Sequence, residues 1–202
     1  MKFKKIQLNG FKSFAEKTNF LIEDGLTGIV GPNGCGKSNI VESLRWVMGE
    51  TSAKSMRGSG MEDVIFSGTS NKASKNIAEV SIEVENKDKE GPIQYRELEQ
   101  IQIRRKIEKD KGSKFYINDK EVRARDAQMF FADLSTGAHS PSMISQGRIG
   151  ALVTAKPTDR RAILEEAAGI SGLHVRRHEA ELRLGAAENN LKRADELRRQ
   201  QE

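Results

Sequence analysis

Residues 31–38 read Gly-Pro-Asn-Gly-Cys-Gly-Lys-Ser and fit the pattern G-x-x-x-x-G-K-[ST] position for position. Three glycines and a proline in so short a stretch break helix and strand alike. Yet the apolar run "LTGIV" (26–30) predicts a strand leading in, and the segment after it predicts a helix leading out. In that helix Ile40, Val41, Leu44, Val47 and Met48 fall on one face, and Gly49 ends it.

A glycine loop at a strand-to-helix junction turns successive backbone N–H groups inward, and the helix start adds its own unpaired donors and positive dipole end. Pro32, Asn33, Gly34, Cys35 and Gly36 form the cradle, and Asn39 follows it directly. Lys37 supplies a mobile positive charge for β- and γ-phosphate oxygens, and Ser38 a hydroxyl for Mg²⁺. A nucleoside triphosphate, ATP, with Mg²⁺ is the expected ligand. Asn39 stands where a dinucleotide fingerprint would have its third glycine, which argues against a nicotinamide site. Cys35 reads as a small loop residue, and as the chain's one cysteine it excludes an intrachain disulfide.

The rest of the first 134 residues reads as short strands and a helix. "KFKKIQLNGF", "TNFLI" and "DVIFSG" are expected strands, "IAEVSIEVEN" alternates at period two, and "IQIRRKIE" with "KFYIND" flanks the turn signal "KDKGS". Residues 50–61 are a polar, glycine-punctuated loop, and 123–134 read as a helix. "PTDRRAILEEAAG" opens a further helix with Thr158 or Asp159 as its cap. From Leu173 on, positions 173, 177, 180, 184, 187, 191, 194 and 198 carry Leu, Arg, Ala, Leu, Ala, Leu, Ala and Arg, a thin heptad seam.

Charged residues make up 31% of the 202, and hydrophobic ones 36%, a balance that suits a globular part joined to a solvated helix. The net charge of +5 permits a polyanionic partner without requiring one. No apolar run approaches the ~20 residues that span a bilayer, and the lysine-dotted start lacks the apolar core of a signal peptide. A cytoplasmic protein without membrane contact is expected. His174 and His178 share a helical face but have no glutamate base between them and no obvious third ligand, so a zinc site is not indicated.

Five stretches together resemble one family: "GFKSF" (10–14), "GPNGCGKSNIVESLRWVMGE" (31–50), "RGSGMEDVIFSGT" (57–69), "ISQGRI" (144–149) and "RRAILEEAAGISGLHVRRHEAELRL" (160–184). In order and spacing they are similar to the N-terminal head of structural maintenance of chromosomes (SMC) proteins, most of all the bacterial condensin type. The resemblance implies an α/β fold: the N-terminal half of an ABC-type P-loop ATPase head, with a β-rich lobe and RecA-like elements, running into the start of an antiparallel coiled coil. Residues 1–170 would form the half-head and 171–202 the start of the arm.

It further implies that Gln146 is the glutamine that touches Mg²⁺ and orients the attacking water. Arg57 would be an arginine that reaches the γ-phosphate, a surface arginine facing DNA or a partner being the rival reading. Lys12 and Ser13 would lie near the base and α-phosphate. The Asp-Glu strand and signature loop of such a head are not found here; "LSTGA" (134–138) imitates the signature but has Thr136 where a glycine belongs. The chain therefore reads as a half-head completed by the C-terminal half of the same head. The implied partners are a second head in a homodimer, DNA and a kleisin-type subunit, in a nucleoid-associated setting of chromosome condensation and segregation. Lys54, Arg57, Lys72 and Lys75 are the candidate DNA contacts. Two alternatives stand: a non-hydrolysing interaction fragment, and the head of a related coiled-coil DNA-repair ATPase.

Overall fold

Period-two alternation builds the larger part of the molecule. In the computed structural model, which describes residues 1–89, 91–134, 143–144, 150, 153–168 and 171–201, strand β3 (Ile77–Glu85) turns Ala78, Val80, Ile82 and Val84 inward, all buried. β1 (Lys2–Asn9), β2 (Thr18–Leu21), β4 (Gln100–Glu108), β5 (Gly112–Ile117) and β6 (Lys120–Val122) complete one sheet in the order β2-β1-β3-β4-β5-β6. Every neighbouring pair is antiparallel. The register stacks Ile6, Ile82, Ile103 and Ile117 in one cross-strand row, the kind of contact that stabilises a sheet on its buried face. On the outer face charges pair across strands, Lys5 with Glu83 at 2.8 Å and Arg104 with Glu79 at 3.3 Å.

Helix α1 (Lys37–Val47) lies against β3 and β4. Its buried side is Ile40, Glu42, Ser43, Trp46 and Val47, rotated about one position from the face the apolar pattern predicts. Val41 and Leu44 are only half-buried. Two polar side chains go inside because partners wait for them there: Ser43 Oγ donates to the Ile40 carbonyl at 2.7 Å, and Glu42 is met by two cations. The helix end is fastened from the sheet. Arg105, 3% exposed on β4, donates from Nη1 to the carbonyls of Trp46 and Glu50, each at 2.7 Å. Its guanidinium stacks between the Trp46 and Phe115 rings at 4.5 and 4.6 Å. Burial pushes its pKa down to about 10, against the pull of Glu50, so it stays charged at neutral pH.

Helix α2 (Ala124–Asp133) packs Ala127, Phe130 and Phe131 toward β5. Helix α3 (Pro157–Ala167) precedes α4 (Ser171–Gln201), about 46 Å long at 1.5 Å per residue. α4 touches α2 and α3.

Several expectations are corrected. "LTGIV" forms no strand: residues 26–30 have no ladder partner among the described residues, and Leu26 and Val30 stand 99% and 93% exposed. "DVIFSG" is buried as expected but is a 3₁₀ turn (Met61–Val64) followed by a single bridge from Ile65 to Phe11. Strand β6 was not foreseen. Thr158 and Asp159 lie inside α3, not at its cap, because Pro157 takes the first helical position, where its fixed φ and missing N–H cost nothing. The helix expected from the heptad pattern is present as α4, with its seam positions Leu184 and Leu191 exposed.

Candidate nucleotide site

The glycine loop has the backbone its sequence asks for. Gly34 and Gly36 take φ of +82° and +98°, and Gly36 is the N-cap of α1. A Cβ on Gly36 would lie 2.5 Å from Ser13 Oγ and 3.4 Å from Phe14 Cζ, so the glycine serves both the left-handed turn and the close packing of the "GFKSF" segment. That segment is itself a tight bridge, with Phe11 and Phe14 exchanging N–H···O bonds at 3.1 and 2.8 Å. It places Lys12 and Ser13 against the loop.

Lys37 folds its ammonium over the loop, donating to the Gly31 carbonyl and, at 2.6 Å, to that of Pro32. Cys35 Sγ is 3.8 Å from the same nitrogen, and the cysteine is exposed. The Asn39 amide N–H donates to the Gly36 carbonyl at 2.9 Å, and its side-chain Nδ2 to Ser13 Oγ, also at 2.9 Å. A left-handed glycine junction, a mobile ammonium at its mouth and the free N–H groups of a helix start together fit a polyphosphate. The Ser38 hydroxyl is exposed one residue into α1.

Ser38, Glu42, Arg45, Ser55, Arg57 and Ile144 line a cavity of about 320 Å³ beside the loop. Arg57 reaches it from the polar loop, where it takes a left-handed conformation (φ +54°) after the 3₁₀ turn Lys54–Met56. Its Nη2 donates to Asn39 Oδ1 at 3.0 Å and its Nε pairs with Glu42 Oε1. Lys12 pairs with Glu42 Oε2 and donates to the Met56 carbonyl. The next turn of that loop is tied by Asp63, which accepts from Gly60 N (3.0 Å), Ser59 Oγ (2.9 Å) and Ser59 N (2.7 Å). These donors hold its carboxyl below the ordinary range, the Gly60 N–H most of all.

Lys12, Ser13, the loop residues 32–38, Asn39 and Arg57, all singled out from sequence, thus converge around the start of α1. Gln146 lies outside the described residues, although Ile144, two positions earlier, lines the cavity. Ser135 and Gly137 of the signature-like stretch, and the side chains of His174 and His178, also lie outside them. Sequence reasoning missed Glu42. Its sequence signal is faint: it follows Ser38 by four residues, but it lies opposite the apolar face of Ile40, Val41, Leu44, Val47 and Met48, where a carboxylate reads as solvated. Among the described residues no group of three or more His, Cys, Asp or Glu side chains is placed to hold a metal ion, and no helix is long and apolar enough to cross a membrane. Of the candidate DNA contacts, Lys72 is paired with Glu16 at 2.7 Å and Arg57 with Glu42.

The family described as "RecF/RecN/SMC N terminal domain" matches residues 2–148. The chain is 56% identical over 197 residues to the chromosome partition protein Smc of Cereibacter sphaeroides, and 55% identical to that of Rhodopseudomonas palustris. Each alignment covers 98% of this chain and 17% of the relative, so the chain spans less than a fifth of their length. Among solved structures, one from work on ATP-driven dimerization and DNA-stimulated activation of SMC ATPases superposes with a TM-score of 0.70 at 32% identity. That match covers 83% of this chain and 99% of the other. An Smc head domain from Pyrococcus furiosus, with an extended coiled coil and bound to the C-terminal domain of ScpA, gives a TM-score of 0.77 at 32% identity. It covers 96% of this chain and 48% of the other.

Proposed function

The chain belongs to the RecF/RecN/SMC N-terminal domain family, and from that premise we propose that it is the ATP-binding N-terminal half of an SMC head, acting in chromosome partition. The observation that carries the proposal is the loop at 31–38, with Gly36 left-handed at the start of α1 and the Lys37 ammonium folded over its mouth. On binding, Lys37 exchanges the carbonyls of Gly31 and Pro32 for β- and γ-phosphate oxygens, while the backbone from Pro32 to Gly36 encloses the phosphates. Asn39 anchors the loop to Ser13. Lys12 and Ser13 border the nucleotide on the side of the "GFKSF" turn. Mg²⁺, when bound, neutralises charge on the phosphate oxygens; Ser38 and Gln146 are the residues that would hold it. Arg57, already at the cavity beside Ser38, is the guanidinium for the γ-phosphate, and Gln146 would also orient the attacking water.

Hydrolysis on this reading belongs to the assembled head: this chain, the C-terminal half that supplies the Asp-Glu strand and signature loop, and a second head closing over the nucleotide. The dimerization and ScpA binding described for the neighbouring structures support a second head and a kleisin-type subunit as partners. The arm at 171–202, the half-head at 1–170 and a cytoplasmic, nucleoid-associated location belong to the same proposal. The decisive measurement is titration of this chain and of its K37A variant with fluorescent mant-ATP. Loss of the ammonium removes charge-assisted bonds worth roughly 1.5–3 kcal/mol each, so affinity should fall about 10- to 100-fold. Equal binding by both proteins would sink the nucleotide assignment.

DNA is the polyanion proposed for the basic surface. With Arg57 and Lys72 engaged in ion pairs, Lys54 and Lys75 are left as the main contacts. Two phosphate contacts predict that log K falls with log salt at a slope of about −2. Duplex titrations at rising salt test this, and a flat response rejects it.

A further inference from the structure

Glu42 lines the cavity beside Ser38 and has no part in the reading above. It stands one helical turn after Ser38, and its side chain is 10% exposed. A carboxylate buried to that degree needs compensation, and it has two cations, one on each oxygen: Lys12 on Oε2 and Arg57 on Oε1. Lys12 also donates to the carbonyl of Met56, the residue before Arg57. Arg57 in turn donates to Asn39, and Asn39 to Ser13, the residue after Lys12. The contacts close a ring through three segments remote in sequence: the "GFKSF" turn, the first turns of α1 and the loop at 54–57.

Arg57 is the member with most freedom to lose. Its side chain is 58% exposed on a glycine-flanked loop, where a long side chain samples many rotamers. Two of its three guanidinium nitrogens are nevertheless held by α1, Nε by Glu42 and Nη2 by Asn39. Two contacts fix the guanidinium plane, and both come from the helix that starts at the phosphate loop. The guanidinium is therefore indexed to Lys37 and Ser38 rather than to its own loop.

We propose that Glu42 is a positioning residue for the phosphoryl site: it keeps Arg57, and with it Lys12, in fixed register with the phosphate loop. The purpose of that placement rests on the nucleotide reading; the placement itself does not. Glu42→Gln keeps the shape and a carbonyl oxygen for Lys12 but removes the charge. The first measurement uses ¹⁵N relaxation of the Arg57 Nε–H group in this chain. It should report an ordered group in the wild type and a mobile one in E42Q, with the α1 amides unchanged. Glu42→Asp, charged but one methylene short, should fall between them. An Arg57 group as ordered in both variants as in the wild type would overturn the proposal, whatever the ligand of the loop.

The second measurement is ATP turnover in the head completed by its C-terminal half. E42Q should bind mant-ATP within about 2-fold of the wild type while turnover drops ~10-fold, the order expected when a charge-stabilising group loses its preorganisation. The E42Q/R57A double variant should be no slower than R57A alone. Reductions that multiply would show that Glu42 does not act through Arg57, and the proposal fails. If K37A retains ATP binding, it is the nucleotide reading that has failed, and the relaxation data still decide the role of Glu42.

Discussion

Gly36 carries two constraints that only glycine meets together. Its φ of +98° is a conformation that costs an L-residue about 1–2 kcal/mol, and the missing Cβ leaves room for Ser13 Oγ, which would otherwise be 2.5 Å away. Gly36→Ala is thus expected to destabilise the chain by about 1–2 kcal/mol in urea unfolding, the strain acting alone if Ser13 rotates aside. Rotation of Ser13 would break its bond from Asn39, so ATP affinity should fall further than stability does. Adding Ser13→Ala to G36A removes the clash but neither the strain nor the loss of the Asn39 bond, so it should restore neither stability nor binding. A G36A chain as stable and as tight for mant-ATP as the wild type would show that the loop relaxes freely. The loop was legible because phosphate chemistry writes itself into backbone requirements that few residues satisfy. Glu42 was not, because a single buried carboxylate declares itself only once Lys12 and Arg57 are brought to it from 30 residues before and 15 after.

Among the elements, those with a strict period were read well, and the misses share a physical cause. β1, β3, β4 and β5 alternate, and each has neighbours on the buried face that reward the alternation. "LTGIV" has apolar content without a ladder partner, and three residues of β6 are too few to show a period. The face of α1 was misplaced because Arg105 and the Glu42 network turn the helix toward groups that apolarity does not predict. Arg105 is the stronger of these anchors. Its loss removes the charged donor shared by the carbonyls of Trp46 and Glu50 and opens the space between the Trp46 and Phe115 rings. Arg105→Ala should therefore cost about 3–5 kcal/mol, the range for breaking a buried charged network. Arg105→Met keeps much of the volume and should cost less, about 1.5–3 kcal/mol for the charge-assisted bonds it can no longer donate. Urea unfolding followed by circular dichroism gives both values, and Trp46, the sole tryptophan, reports the site directly. A cost below about 1 kcal/mol for R105A would mean that α1 is held by its apolar face alone.

At the scale of the whole molecule, the chain has a finished sheet and an unfinished surface. The buried face of the six strands is covered by α1 and α2, yet Leu26, Ile29 and Val30, immediately before the phosphate loop, lie open to solvent. Leu184 and Leu191 do the same along α4. A strand-like apolar segment with unpaired backbone is a template for another strand, and its position next to residue 31 couples any pairing there to the geometry of the loop. If the C-terminal half of the head completes the site, its addition should slow amide exchange at 26–30, because pairing protects N–H groups that now face water. Lys37-dependent ATP turnover should appear in the same mixture and not in this chain alone. Replacing Leu26 and Val30 with Ser should weaken assembly while leaving the sheet intact, since neither side chain contributes to its core. Exchange at 26–30 that is unchanged by a half-head able to confer turnover would place the contact elsewhere. Protection without turnover would favour a non-hydrolysing interaction module, in which the loop binds nucleotide only to set the shape of the segment before it.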